Sequence, residues 1–155
     1  GYKEVSDQFL FRTAEAYLNA AEAAAYMGEE GTARTLLKAL RDKRLINSTM
    51  PTESGESLVT LIREERQCEL CLEGHRWYDL RRYLVCEKYP YSKQIRHAFN
   101  VYDGNKNEWD HTDIYVLEKN DPAYVMQIPK SVLEYDEEQM PENPRNKRSP
   151  LGDDE

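Results

Sequence analysis

The stretch from Phe11 to Ala25, FRTAEAYLNAAEAAA, constrains the fold more than any other part of this chain. Phe11, Ala14, Leu18, Ala21 and Ala25 recur at helical spacing, and Ala16, Ala20, Ala23 and Ala24 widen the small-residue surface. Alanine is the strongest helix former, and its short side chain lets a second helix approach closely. Ser6 or Asp7 is placed to cap this helix. Gly28-Glu29-Glu30-Gly31 ends it, because glycine accepts the left-handed conformation of a helix C-terminus. Thr32 then caps a second helix carrying Ala33, Leu36, Leu37 and Leu40. Its last turn is basic (Arg41, Lys43, Arg44), which suits the negative end of the helix dipole. Two helices joined by so short a turn predict an antiparallel hairpin over residues 6–45.

Small residues on the first helix, a glycine turn and a shorter second helix resemble one tetratricopeptide unit. Such a unit buries little alone and normally stacks on copies of itself, yet no second copy follows. The apolar supply is also thin. The chain has 155 residues, and Leu, Ile, Val and Phe together number 30, near the lower edge for a packed core. Eleven Tyr and two Trp partly compensate, since each aromatic buries a large area. Both features lead us to expect a portion of a larger protein. The net charge is −8, so phosphate backbones are repelled and duplex nucleic acid is not an expected partner. The acid excess otherwise serves solubility. Three cysteines, an odd number, make no closed disulfide framework. There is no run of 18 apolar residues, the minimum for a membrane-spanning helix.

Downstream, Asn47–Ser57 reads as a loop. Ser57 is expected to cap a third helix with an apolar stripe of Leu58, Leu61, Ile62, Cys68 and Leu72. Gly74 stops it, and a fourth helix runs over His75–Leu84 with Trp77, Leu80 and Leu84 on one side. Residues 57–84 thus form a second helical segment. Over residues 92–129 we expect loops and short strands: one strand near Gln94–Tyr102, a long loop, a strand near Ile114–Leu117, and the apolar run AYVMQIP stopped by Pro129. KSVLEYDEEQ supplies one more helical turn. The polar tail, residues 140–155, either lies along a surface or is disordered. The fold class is mainly α, with a few short strands and long loops.

The densest chemistry lies in ERQCELCLEGHRWYDLRR, Glu65 to Arg82. On a continuous helix Cys68, Cys71 and His75 would share a face, with Asp79 or Cys86 as a fourth zinc ligand. Gly74 interrupts that helix, so no metal is expected, and the cysteines read as small residues filling apolar positions. Glu65, Glu69, Glu73 and Asp79 offer carboxylates for acid–base work, but Arg63, Arg66, Arg76, Arg81 and Arg82 are interleaved with them. Arginine keeps a carboxylate ionised, which is poor tuning for a general acid. Arg66 and Arg76 are the expected partners, in a structural salt-bridge cluster. Nucleophile elbows, phosphate loops and dinucleotide fingerprints are absent from the sequence. No catalytic residue and no cofactor is assigned.

The same stretch resembles the C-terminal signature of the SusD/RagB family of surface glycan-binding lipoproteins. The resemblance rests on Glu65-Arg66, Glu69-Leu70, Glu73-Gly74-His75-Arg76-Trp77 and Asp79-Leu80-Arg81-Arg82, in one register. Phe11 to Ala23 is similar to the helix that precedes the signature, and VMQIPKSVLEYDEEQMPENP to the closing segment. The chain departs from the pattern at Gln67, where arginine is common, and at Cys68 and Cys71. It also departs at Glu142–Asn146, which lacks the usual Gly-Tyr after Asn-Pro. The resemblance implies the C-terminal portion of a SusD-like α/α superhelix. It further implies an extracellular-facing protein of the outer membrane, held by a lipid anchor outside this chain. Such a protein captures oligosaccharides for a TonB-dependent, SusC-like transporter and performs no covalent chemistry.

Sugars are held by aromatic faces and by Asn, Asp and Arg hydrogen bonds. Val101–Asp113 has that palette in Tyr102, Asp103, Asn105, Asn107, Trp109 and Asp110. The opposing reading is that Tyr102 and Trp109 merely pin a long loop to the body. Peptide cargo, a purely structural interaction module and a glycoside hydrolase remain the rival functions.

Overall fold

A computed structural model of the chain describes residues 12–136, 140–143 and 148–151. It is mainly helical, with one two-stranded antiparallel sheet among the described residues. In chain order the elements are α1 (Thr13–Tyr26), α2 (Glu30–Arg41), α3 (Gly55–Glu69), α4 (His75–Leu84), β1 (Ile95–Asp103), β2 (Glu108–Leu117), a 3-10 turn (Pro122–Tyr124) and α5 (Lys130–Tyr135). The chain divides into two compact units, one comprising residues up to Asp79 with Glu87–Tyr89, the other Leu80–Cys86 with the chain from Pro90 onward.

The first unit is built on the expected helix hairpin. Arg12 is extended at the N-terminus of α1; the caps expected at Ser6 or Asp7, and Phe11, lie outside the described residues. Gly28, at φ +83°, turns the chain at the other end, where Gly28 N–H donates to Ala25 O (3.2 Å) and Glu29 N–H to Ala24 O (2.8 Å). That pair of bonds is a Schellman closure. It leaves the chain already aimed, so α2 starts at Glu30 rather than after Thr32, which lies inside the helix. The core gathers Ala14, Leu18, Ala21, Ala24 and Ala25 of α1 with Ala33, Leu37 and Leu40 of α2. Leu58, Val59 and Ile62 of α3, and Leu70 beyond it, complete the cluster. Each buried Leu, Ile or Val contributes about 1.5–3 kcal/mol, whereas alanines contribute chiefly by close approach.

α3 begins at Gly55, two residues before the expected Ser57. Ser54 makes no side-chain cap. The Glu30 carboxylate takes the Gly55 N–H instead (2.7 Å), and Arg34 donates to Glu53 O (2.6 Å), so α2 caps α3 from across the loop. The expected apolar stripe is corrected in its second half: Cys68 and Cys71 are exposed, and Leu72 is fully exposed at φ +63°. Cys68 lies ten positions past Leu58, about 280° around the helix, and so faces away from the core. The inward positions there are Arg63 and Arg66. The helix stops at Glu69, and α4 starts directly after Gly74, itself at φ +82°.

In the second unit Leu80 and Tyr83 of α4 are buried, and Tyr91 N–H donates to Tyr83 O (3.0 Å). The expected long loop after Tyr102 does not exist. β1 and β2 pair continuously from Ile95↔Leu117 to Asp103↔Glu108, with one irregularity at Val101/Tyr102, and only Gly104–Asn107 form the turn. The first half of β2 is exposed, so no alternation of apolar and polar residues marked it, and only its second half, Ile114–Leu117, was expected as strand. AYVMQIP is not a strand. Asp121 accepts Ala123 N–H (2.7 Å) and Pro122 opens a 3-10 turn, which buries Tyr124 and directs its hydroxyl to Lys93 O. The described part of the tail runs beside β2: Leu151 N–H donates to Ile114 O (2.8 Å) and Arg148 to Val116 O (2.8 Å).

Candidate functional site

The signature carboxylates lie in the first unit, in an arginine network drawn from three helices. α3 turns two arginines inward. Arg66 makes a two-oxygen contact with Asp79 (3.0 and 2.8 Å), donates to Asn19 Oδ1 (2.8 Å) and stands 3.6 Å from Glu15. Arg63 stands 3.4 Å from Glu22, donates to Tyr89 O (3.0 Å) and reaches the Tyr26 hydroxyl. These two arginines, one turn apart by i, i+3 spacing, tie α3 to α1 through polar contacts beside the apolar core.

The outer carboxylates are held from elsewhere than expected. Glu69 receives Arg12 (2.6 Å) and Arg44 (2.7 Å); Glu73 receives Arg12 (2.7 and 2.8 Å); Glu65 receives Arg41 (2.7 Å). Arg12 also donates to the Glu69 carbonyl, at the C-terminal end of α3 where a cation opposes the helix dipole. Hydrogen bonds from Arg44, then Arg12, hold the Glu69 carboxyl below its ordinary range; Arg12 does the same to Glu73. The Arg12 guanidinium is raised in turn, first by Glu73 and then by Glu69. Both carboxylates therefore stay ionised and hold no proton to give. Arg76 and Arg81, the first of them an expected partner, form no ion pair among the described residues. His75 comes within 3.8 Å of Glu15, and Trp77 is half-buried.

Sequence reasoning did not find Arg12, Glu15, Asn19 and Glu22 as members of this network. Arg12 meets partners 57 and 61 residues away, and no local pattern records such a pairing. Arg41 and Arg44 were visible as the basic end of α2; their i, i+3 spacing was the available signal for two adjacent carboxylate contacts. Cys68 belongs to α3, Cys71 to the following turn and His75 to α4, so they share no helix face. Among the described residues no group of three His, Cys, Asp or Glu could hold a metal ion.

The aromatic and amide residues gather at the tip of the β hairpin. Tyr102 is the second-to-last residue of β1 and Trp109 the second of β2, and their rings meet edge to face with centroids 5.3 Å apart. They pair across the hairpin and do not pin a loop: Trp109 is 69% exposed and Tyr102 48%. The Tyr102 hydroxyl donates to Asn107 Oδ1. Asn107 takes φ +57°, a turn conformation asparagine tolerates better than most side chains. Asp103 accepts Asn105 N–H (2.9 Å) and Lys106 N–H (3.4 Å), and these backbone donors, Asn105 first, hold its carboxyl low. Asp110 contacts His111 (2.9 Å) and Lys106 (3.7 Å). The five predicted residues Tyr102, Asp103, Asn105, Asn107 and Trp109 are thus brought together, with an aromatic pair beside amide and carboxylate groups. Such a surface suits a ligand with alternating apolar faces and hydroxyl edges.

Among protein families, the SusD family model matches residues 1–145. Comparison with curated proteins and with solved structures gave no match.

Proposed function

Since the chain belongs to the SusD family, we propose that it is part of a glycan-binding protein of the outer-membrane surface, and that the hairpin tip contacts the sugar. The observation that carries this reading is the exposed Tyr102–Trp109 pair. Large aromatic faces left in water, with hydrogen-bonding groups beside them, match the C–H faces and hydroxyl rims of a pyranose. Asn105, Asn107 and Asp103 would take the hydroxyls. In this proposal the protein hands oligosaccharide to a TonB-dependent, SusC-like transporter and is held at the membrane by a lipid anchor. Binding proceeds without turnover, because Glu69 and Glu73 are held ionised by arginine and the signature carboxylates serve the fold.

The test is titration calorimetry of the intact protein against a panel of neutral oligosaccharides, with Trp109→Ala and Tyr102→Ala alongside. Loss of the stacking face should weaken binding about 10-fold, equivalent to about 1.4 kcal/mol. Unchanged affinity in both variants would remove the hairpin from the site. New reducing ends in the panel would establish an enzyme instead. Retained capture of the transporter by a protein with no glycan affinity would favour an interaction module.

A further inference from the structure

The two cysteines absorbed by neither the fold nor the glycan reading are Cys68 and Cys71. Cys68-Glu69-Leu70-Cys71 is a Cys-x-x-Cys segment, and both thiols are free and exposed. Cys68 lies in the last turn of α3, Leu70 N–H still donates to Arg66 O (3.0 Å), and Leu70 itself leaves the helix at φ −102°, ψ 27°, close to the third residue of a type I turn. Helical Glu69 followed by this Leu70 gives Cys68–Cys71 the dihedrals of a type I turn, which holds its first and fourth Cα atoms within about 7 Å. A disulfide requires a Cα separation of about 4.4–6.8 Å.

Glu69 between them is held by Arg12 and Arg44, which fixes the backbone that carries the two thiols. Cys71 itself lies outside α3, in the turn that contains Leu72 and Gly74 at positive φ, so closure does not distort a helix interior. Cys86 differs: it is half-buried, belongs to the second unit, and its thiol donates to Arg82 O (3.2 Å).

We propose that Cys68 and Cys71 form a reactive dithiol, which closes to an intramolecular disulfide by exchange with a disulfide-bearing compound. The thiolate of one cysteine attacks a sulfur of R–S–S–R, forming a mixed disulfide and expelling one R–S⁻, which takes up a proton. The second cysteine loses its proton and attacks the protein sulfur of the mixed disulfide, expelling the second R–S⁻. Two protein thiols are oxidised to one disulfide, and R–S–S–R is reduced to two R–SH. Proximity makes the second step intramolecular and fast relative to attack by another molecule. The inference is independent of what ligand the hairpin binds.

The probe is oxidised glutathione, applied to the intact protein, followed by acid quenching, alkylation and peptide mass mapping. A Cys68–Cys71 bridge should appear, about 2 Da lighter than the dithiol, with Cys86 alkylated and the bridge reopened by dithiothreitol. Cys71→Ser should accumulate a persistent glutathione adduct on Cys68, because the resolving thiol is gone. Should that variant not fold, Cys68→Ser gives the mirror test on Cys71. Stable adducts on both cysteines of the native protein would overturn the proposal. So would a bridge to Cys86, or three thiols still open to alkylation.

Discussion

Arg66 and Asp79 each keep only 6% of their side chains exposed. They are also the two members of the signature whose roles follow most directly from desolvation. A buried ion pair gains little over an apolar pair of the same shape, but removing one partner strands a charge in the interior. Asp79→Ala should therefore lower the unfolding free energy by about 3–5 kcal/mol in urea denaturation. The double variant Arg66→Met, Asp79→Leu should recover most of that loss. A single variant within about 1 kcal/mol of the native protein would show that Asn19 and Glu15 satisfy Arg66 unaided. The same reasoning separates the signature residues. Those with guanidinium partners, Glu65, Glu69, Glu73 and Asp79, hold helices together. Gly74 supplies a backbone conformation that side-chain-bearing residues adopt at a cost.

The α1–α2 hairpin was legible because two signals agreed: apolar spacing near 3.6 residues and a glycine at the reversal. Gly28 is the part of that turn open to a direct test. It sits at φ +83° with nothing within 4 Å of the position a Cβ would take, so the space is free and only the conformation is costly. Gly28→Ala should destabilise the protein by about 1–2 kcal/mol through left-handed strain alone. A thermal unfolding midpoint unchanged by this substitution would mean that the turn relaxes to another closure. Elsewhere the legible signal ran out for stated reasons. α3 starts at Gly55 because Glu30, 25 residues back, caps it, and no local motif encodes that. The second half of the apolar stripe failed because the inward face there is made of arginine, which a hydrophobic pattern does not count. The first half of β2 was read as loop because Glu108, Trp109, Asp110, His111 and Thr112 are all exposed, and a strand without a buried face shows no period of two. The residues of the hairpin tip could still be named from their chemistry. That they share one surface required the pairing of β1 with β2.

Charge binds the two readings of this chain together, because it acts over distances longer than any single contact. The chain carries −8, and the hairpin tip shares the bias, with Asp103, Glu108, Asp110 and Asp113 against Lys106. At physiological salt the field of such charges extends about 8 Å, enough to cover a sugar ring stacked on Trp109. At the proposed site a neutral oligosaccharide would meet no penalty, and its hydroxyls would find acceptors such as Asp103, whose carboxyl is held low by backbone donors. A polyanionic glycan, rich in uronate or sulfate, must approach against the field. Neutral glycans should therefore bind more tightly than anionic ones of the same length. The residual affinity for anionic chains should rise as sodium chloride is increased from about 20 to 500 mM, since screening removes repulsion. Neutral ligands should change little over that range. Calorimetry of matched neutral and uronate oligomers at both salt concentrations measures the difference. Anionic binding that is tighter at low salt would require a cationic subsite away from the hairpin tip, and would move the proposed contact surface off Tyr102 and Trp109.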